Sequence, residues 1–175
     1  MKRNLIYLII LIIIFFVFYV FFKGLNKVNI YTPNEITNKK IVNFSSKELY
    51  TQKNVSFSDI LLDNKFTIVN IWSSWCLPCR DEHKYLIKLG QKNNLNMVGI
   101  NYKDDPTNAK KFIDQFGNPF SLILIDKDGT IAIELGAYGI PETFIINKNG
   151  IVIFKHVGPI TQKLYDKKIK KLLSN

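Results

Sequence analysis

The sequence predicts an α/β sandwich with a central mixed sheet, preceded by one N-terminal transmembrane helix. Three observations carry this. An uncharged apolar run fills Leu5–Phe22. Two β-branched, mostly apolar runs, Phe66–Trp72 and Leu95–Tyr102, alternate with stretches of helical spacing. Near the C-terminus an Asn147-Lys148-Asn149-Gly150 turn joins two further β runs. Strands alternating with helices pair in parallel, and a terminal hairpin adds an antiparallel pair.

As a helix, Leu5–Phe22 rises roughly 27 Å, enough for a hydrocarbon core. Lys2 and Arg3 precede it, which keeps the short N-terminus cytoplasmic and exports the rest. Lys23 and Lys27 on the far side weaken that signal. Phe21-Phe22-Lys23-Gly24 offers no small-x-small cleavage site, which favours an anchor over a signal peptide. The expected organisation is an anchor over 1–27, a polar, turn-prone linker over 28–45, and one folded domain over 46–175.

Val42–Phe57 alternates loosely, as a weak hairpin or edge strands do, and Ser58–Leu62 suits one helical turn. Phe66–Trp72 reads as a strand buried on both faces. Arg80–Leu89 has helical spacing, with Tyr85, Leu86 and Leu89 on one face and Gly90 as a stop. Leu95–Tyr102 is a second buried strand. Pro106-Thr107 opens a helix with Ala109, Phe112, Ile113 and Phe116 on one face, closed by Gly117-Asn118-Pro119. Leu122–Ile125 is a short strand and Asp126–Gly129 a turn. Thr143–Ile146 and Ile151–Val157 form the hairpin, and Leu164–Leu173 a basic amphipathic helix.

The net charge is +10 over 175 residues. No basic stripe interleaved with aromatics and no nucleic-acid module accompanies it, so it reads as solvated lysines, with no nucleic-acid partner.

Cys76 and Cys79 are the only cysteines. Haem attachment needs His after the second cysteine, where Arg80 stands. A zinc site would have only His83 and His156 to complete it, without zinc-finger spacing. A permanent disulfide this small closes little loop entropy. Redox chemistry fits best, and no cofactor or metal is expected. If a helix starts near Cys76, its sulfur sits among unpaired N–H groups at the positive end of the dipole, which favours a thiolate. Cys79, about one turn further in, is expected to be more buried, to stay a thiol, and to resolve the mixed disulfide that Cys76 forms. Pro78 suits a first helical turn.

Four stretches then carry a resemblance: Trp75-Cys76-Leu77-Pro78-Cys79-Arg80-Asp81-Glu82-His83, Asn101-Tyr102-Lys103-Asp104, Gly136–Phe144, and His156-Val157-Gly158-Pro159. Together they resemble the thioredoxin superfamily and, within it, the DsbE/CcmG family of membrane-anchored periplasmic thiol–disulfide oxidoreductases of cytochrome c maturation. The resemblance covers about residues 40–175. It implies a thioredoxin-like sandwich with a redox-active Cys76–Cys79 disulfide. It implies that Pro141 is a cis-proline facing that disulfide, where it helps to hold an extended substrate backbone. Glu82 and Glu142 match acids that the family places around the active site. Otherwise Glu82 is a surface acid of an early helical turn and Glu142 a solvated strand-edge acid. Trp75 is an apolar lid or core packing, and Tyr138 lies beside the site or simply packs. His83 and His156 read as structural.

Plain thioredoxins carry a buried acid where this chain has Asn70, which cannot titrate. If Cys79 needs a carboxylate for proton transfer, Glu82 or Glu142 must supply it. The implied partners are apocytochrome c or a maturation protein, a membrane electron donor, and the bacterial inner membrane through residues 5–22, with the catalytic domain periplasmic. Two other readings stay open. One is a general tethered thioredoxin-like reductase for another exported substrate. The other is a non-catalytic binding or chaperone module with a structural disulfide.

Overall fold

The computed structural model describes residues 2–26, 36–61, 65–92 and 95–174. Lys27, the linker residues 28–35 and Leu62 lie outside the described residues, as do both chain ends. The chain forms two units, Met1–Thr32 and Pro33–Asn175.

In the first unit, α1 (Lys2–Asn26) contains one span, Asn4–Lys23, long and apolar enough to cross a membrane. Every side chain from Leu5 to Phe22 is exposed. A helix apolar all round has no face for water, and lipid is the environment that matches it.

The second unit begins with an antiparallel pair, β1 (Ser45–Lys47) and β2 (Asn54–Ser56), and a short α2 (Phe57–Ile60). Then follow β3 (Phe66–Trp72), α3 (Leu77–Gly90), β4 (Leu95–Tyr102), α4 (Pro106–Phe116), β5 (Leu122–Asp126), α5 (Thr130–Glu134), β6 (Glu142–Asn147) and β7 (Val152–Val157). The main sheet has the order β5-β4-β3-β6-β7. β3, β4 and β5 are parallel, while β6 is antiparallel to β3 and to β7, so the sheet is mixed.

From β3 the chain steps twice in one direction, so right-handed crossovers put α3 and α4 on one face. Their buried residues, among them Leu86, Leu89, Phe112 and Ile113, share a core with Ile68, Trp72 and Met97 of the sheet. On the other face Phe57, Ile131 and Leu135 pack with Val69, Ile71, Val98 and Phe144. β3 is buried along its whole length because both faces are covered. Each sheet edge is capped over a short stretch. Glu48 bridges to Leu124 beside β5, and Lys40 bridges to Ile151 beside β7.

Four differences from the sequence reading have local causes. Part of the expected linker packs into the domain, since Ile41 and Phe44 are buried. α3 starts three residues earlier than its apolar periodicity, because Cys76 caps it and Pro78 is tolerated in the first turn. α5 was not expected; the Asp126 carboxylate holds it by accepting Ile131 N–H at 3.1 Å and Ala132 N–H at 2.9 Å. The C-terminal helix is longer and not uniform: α6 (Gln162–Leu164) and α7 (Lys170–Ser174) flank a π turn at Tyr165–Ile169.

Trp72 ends β3 with its ring between Phe112 and Phe120, at centroid distances of 5.2 and 5.7 Å. A Cβ on Gly99 would stand 2.8 Å from its Nε1 and 3.0 Å from the Phe120 ring. Gly99→Ala is therefore expected to lose about 1–3 kcal/mol in denaturant unfolding. Gly139→Ala, with nothing within 4 Å of the added atom, should stay within about 0.5 kcal/mol of the parent. Equal stability of the two variants would show that the Trp72 shelf is not tight.

Candidate active site

β3 delivers the chain to its C-terminal edge, and Ser73-Ser74-Trp75 turns it into α3. Cys76 is the N-cap, extended at φ −85° and ψ 106°, and its Sγ accepts the Cys79 N–H at 3.1 Å. The two cysteines form a disulfide and are 5% and 2% exposed. This places the Cys76 sulfur beside the unpaired N–H groups of the first turn, a position that favours a thiolate once the bond is reduced.

The turn is fixed from the neighbouring strand. Asp104, in the loop after β4, accepts Ser74 N–H at 2.6 Å and Ser74 Oγ–H at 2.8 Å. It also accepts Asn101 Nδ2–H and its neighbour Asp105 N–H, both at 2.9 Å. The Trp75 indole N–H donates to Lys103 O at 3.1 Å. Sequence reading quoted Asn101–Asp104 only as part of a resemblance and gave Asp104 no role. The signal was an Asn-x-x-Asp at the end of a strand next to the cysteine-bearing one.

Glu82 is fully buried, one turn beyond Cys79 on α3. It is not a surface acid. Asn70 Nδ2–H donates to Oε1 at 2.8 Å, and Ile160 N–H donates to Oε2 at 2.7 Å. Burial pushes its pKa up to about 7, and those two hydrogen bonds hold it from rising further. Asn70 also donates to Thr143 Oγ1 at 3.1 Å, while its Oδ1 has no hydrogen-bond partner among the described residues. A carboxyl poised near neutrality, at helical spacing from Cys79, can both take and return a proton.

The Ile140–Pro141 peptide is cis. Pro141 precedes β6, beside the β3 end from which the cysteines depart. Glu142 is buried rather than a solvated edge acid, because β6 lies between β3 and β7. It accepts Tyr138 N–H at 2.6 Å and Gly139 N–H at 3.2 Å, and pairs with Lys155 at 3.2 Å. Lys155 also donates to Gly136 O at 2.6 Å and lies 4.5 Å from the Tyr138 ring centroid. This pair spans the 136–142 loop, and sequence reading missed Lys155.

Around the buried groups stand exposed apolar side chains: Trp75 (60%), Leu77 (67%) and Tyr138 (52%). His83 is buried, with Nε2 donating to Gly117 O at 2.9 Å and an edge-to-face contact with Phe112. Burial pushes the pKa of His83 down, and does the same to half-buried His156. No cluster of three or more His, Cys, Asp or Glu forms among the described residues.

Asp104→Asn puts an amide N–H against groups that already donate. We expect this to cost about 1–3 kcal/mol in denaturant unfolding. Asp105→Asn, which alters only the cap of α4 and keeps a good capping residue there, should cost at most about 0.5 kcal/mol. Equal stability of Asp104→Asn and the parent would remove the clamp. Glu82 gives a second test. Its folded pKa is raised, so the folded state holds the proton more tightly than the unfolded one. Its contribution is greatest below pH 4.5 and is lost as pH rises through 7. Between pH 4.5 and 8 the oxidised protein should lose stability, on the order of 3 kcal/mol, relative to Glu82→Gln. Parallel stability–pH curves would contradict the buried, raised carboxyl.

The redoxin family model matches residues 36–173. The thiol:disulfide interchange protein CycY of Rhizobium leguminosarum bv. viciae is 46% identical over 61% of this chain and 57% of its own length. DsbE of Escherichia coli K12 is 41% identical over 66% of this chain and 62% of its own length. The matched region thus spans about three fifths of these two relatives. DsbE of Allochromatium vinosum is 33% identical over 87% of this chain and 84% of its own. Among solved structures, a DsbE-type protein from Chlorobium tepidum shares the fold, with a TM-score of 0.68 over 79% of this chain and 96% of its own, at 24% identity. The chain belongs to the redoxin family and, within it, to the DsbE-type thiol:disulfide interchange proteins.

Proposed function

We propose that this protein is a thiol–disulfide oxidoreductase tethered to the bacterial cytoplasmic membrane by α1, with its folded domain on the periplasmic side. It reduces a disulfide of apocytochrome c, or of a partner in cytochrome c maturation, so that the thiols can take up haem. The observation that carries this reading is the Cys76 sulfur at the N-terminus of α3 with Cys79 one turn behind it.

In the reduced protein the Cys76 thiolate attacks one sulfur of the substrate disulfide. A mixed disulfide forms, and the other substrate sulfur leaves as a thiolate and takes a proton. Cys79 then gives its proton to Glu82 and attacks the Cys76 sulfur. The bond to substrate breaks, and the second substrate sulfur leaves and is protonated. Two electrons have passed from the cysteine pair to the substrate, leaving the Cys76–Cys79 disulfide. A membrane electron donor reduces it again. Glu82 suits the proton step better than Glu142, which is engaged by Lys155 and two backbone N–H groups. Pro141, Trp75 and Tyr138 form the rim against which an extended substrate segment lies. No cofactor takes part.

Cys79→Ser stops the cycle at the mixed disulfide. In cells it should accumulate a covalent adduct at Cys76 with apocytochrome c or a maturation protein. Adducts with unrelated exported proteins would favour a general tethered reductase. No adduct, with Cys76 and Cys79 of the wild-type chain oxidised throughout growth, would leave only a structural disulfide. Glu82→Gln should slow release of a model mixed disulfide about tenfold or more and erase the inflection near pH 7. An unchanged pH profile would remove Glu82 from the proton path.

A further inference from the structure

At the β7 edge an open groove of about 400 Å³ lies against the C-terminal helical segment. Its floor is apolar, with Ile153 and Phe154 of β7 and Leu172 of α7. Its rim carries Lys155, which is paired with Glu142, and the exposed Lys167, Lys168 and Lys171, with Lys168 Nζ 4.9 Å from the Phe154 ring centroid. No Asp or Glu lines it among the described residues. The nearest acid on the same segment, Asp166, accepts from Gln162. Lys39 and Lys40, both exposed, extend the charge along the strand edge, where Lys39 O accepts Val152 N–H at 3.0 Å. On β7 the groove takes in Ile153, Phe154 and Lys155, midway along the strand, and the Lys155 ammonium reaches Glu142 beside the 136–142 loop.

An apolar floor ringed by ammonium groups suits an anionic surface with apolar matter behind it. Connectivity selects which surface. Thr37, where the chain enters the folded unit, lines the same groove. The linker between Asn26 and Ile36 reaches at most about 35 Å when extended. If α1 spans a bilayer, anionic headgroups are always within reach of this face, at high effective concentration. We propose that the lysine groove docks the domain on anionic phospholipid headgroups of the membrane that holds α1. The proposal rests on the reading of α1 as an anchor.

The test reconstitutes the full chain into nanodiscs of phosphatidylcholine alone or with about one third phosphatidylglycerol, and follows lysine acetylation by mass spectrometry. Each lysine near an anionic surface gains enough to slow its labelling about fivefold. Lys167, Lys168 and Lys171 should therefore label about fivefold more slowly in the anionic discs, while Lys111 and Lys127 should not change. About 0.5 M salt, which shortens the screening length to roughly 4 Å, should abolish the difference. Lys39 and Lys40 should also be protected in the anionic discs, and Lys167→Glu/Lys168→Glu/Lys171→Glu should lose that protection. Equal labelling in both lipids, with the chain inserted, overturns the proposal and leaves the anchor intact. Equal protection in both lipids means that protein rather than lipid covers the groove, and also overturns it. Failure of the chain to enter either disc overturns the anchor reading and the proposal together.

Discussion

The sulfur of Cys76 at the head of α3 is the constraint on which the site depends. A thiolate there is stabilised by N–H groups that have no partner in the helix, so its position must be held closely. Several elements contribute to this. β3, buried on both faces, fixes where the turn begins. Asp104 binds both the backbone and the hydroxyl of Ser74, two residues before the sulfur. Pro78 constrains the first turn at little cost. The catalytic geometry is thus set by the seam between β3 and β4 rather than by the Cys-x-x-Cys segment alone.

A second layer of polar contacts lies beneath the cysteines. Glu82 joins α3 to β3 through Asn70 and to the segment after β7 through Ile160. Asn70 continues the chain to Thr143 on β6. Beside it, Glu142 and Lys155 hold the loop that leads into Pro141. Two buried carboxylates therefore sit in different surroundings. One is met by an ammonium group and two N–H donors. The other has only neutral donors and is pushed toward neutrality. That contrast leaves Glu82 as the carboxyl suited to exchange a proton.

Much of this was legible in the sequence, and the reasons are specific. Phe66–Trp72, Leu95–Tyr102 and Pro106–Phe116 match their expected bounds because β-branched runs, an Asp-Pro start and a Gly stop are local signals. The cysteine pair and the position of Pro141 were likewise visible. α5 was not, because a five-residue helix held by a strand-end aspartate leaves only a turn signature. The burial of Glu82 was not, since its Ile160 donor lies 78 residues away. Lys155 meets Glu142 only once the β6–β7 register places Lys155 opposite Phe144 and Glu142 opposite Val157. Ile41 and Phe44 looked like isolated apolar residues in a polar tether until β2, α2 and β7 were beside them. In every case but α5 the deciding contact joins residues at least 13 apart in sequence.

The most direct test is the titration of Cys76 itself in the reduced wild-type chain, followed through the NMR shift of its Cβ. The account predicts a midpoint at least about one unit below that of a free cysteine, with Cys79 titrating well above it. A Cys76 midpoint at the free-cysteine value would show that the end of α3 does not activate the sulfur, and the mechanism built on it would fall.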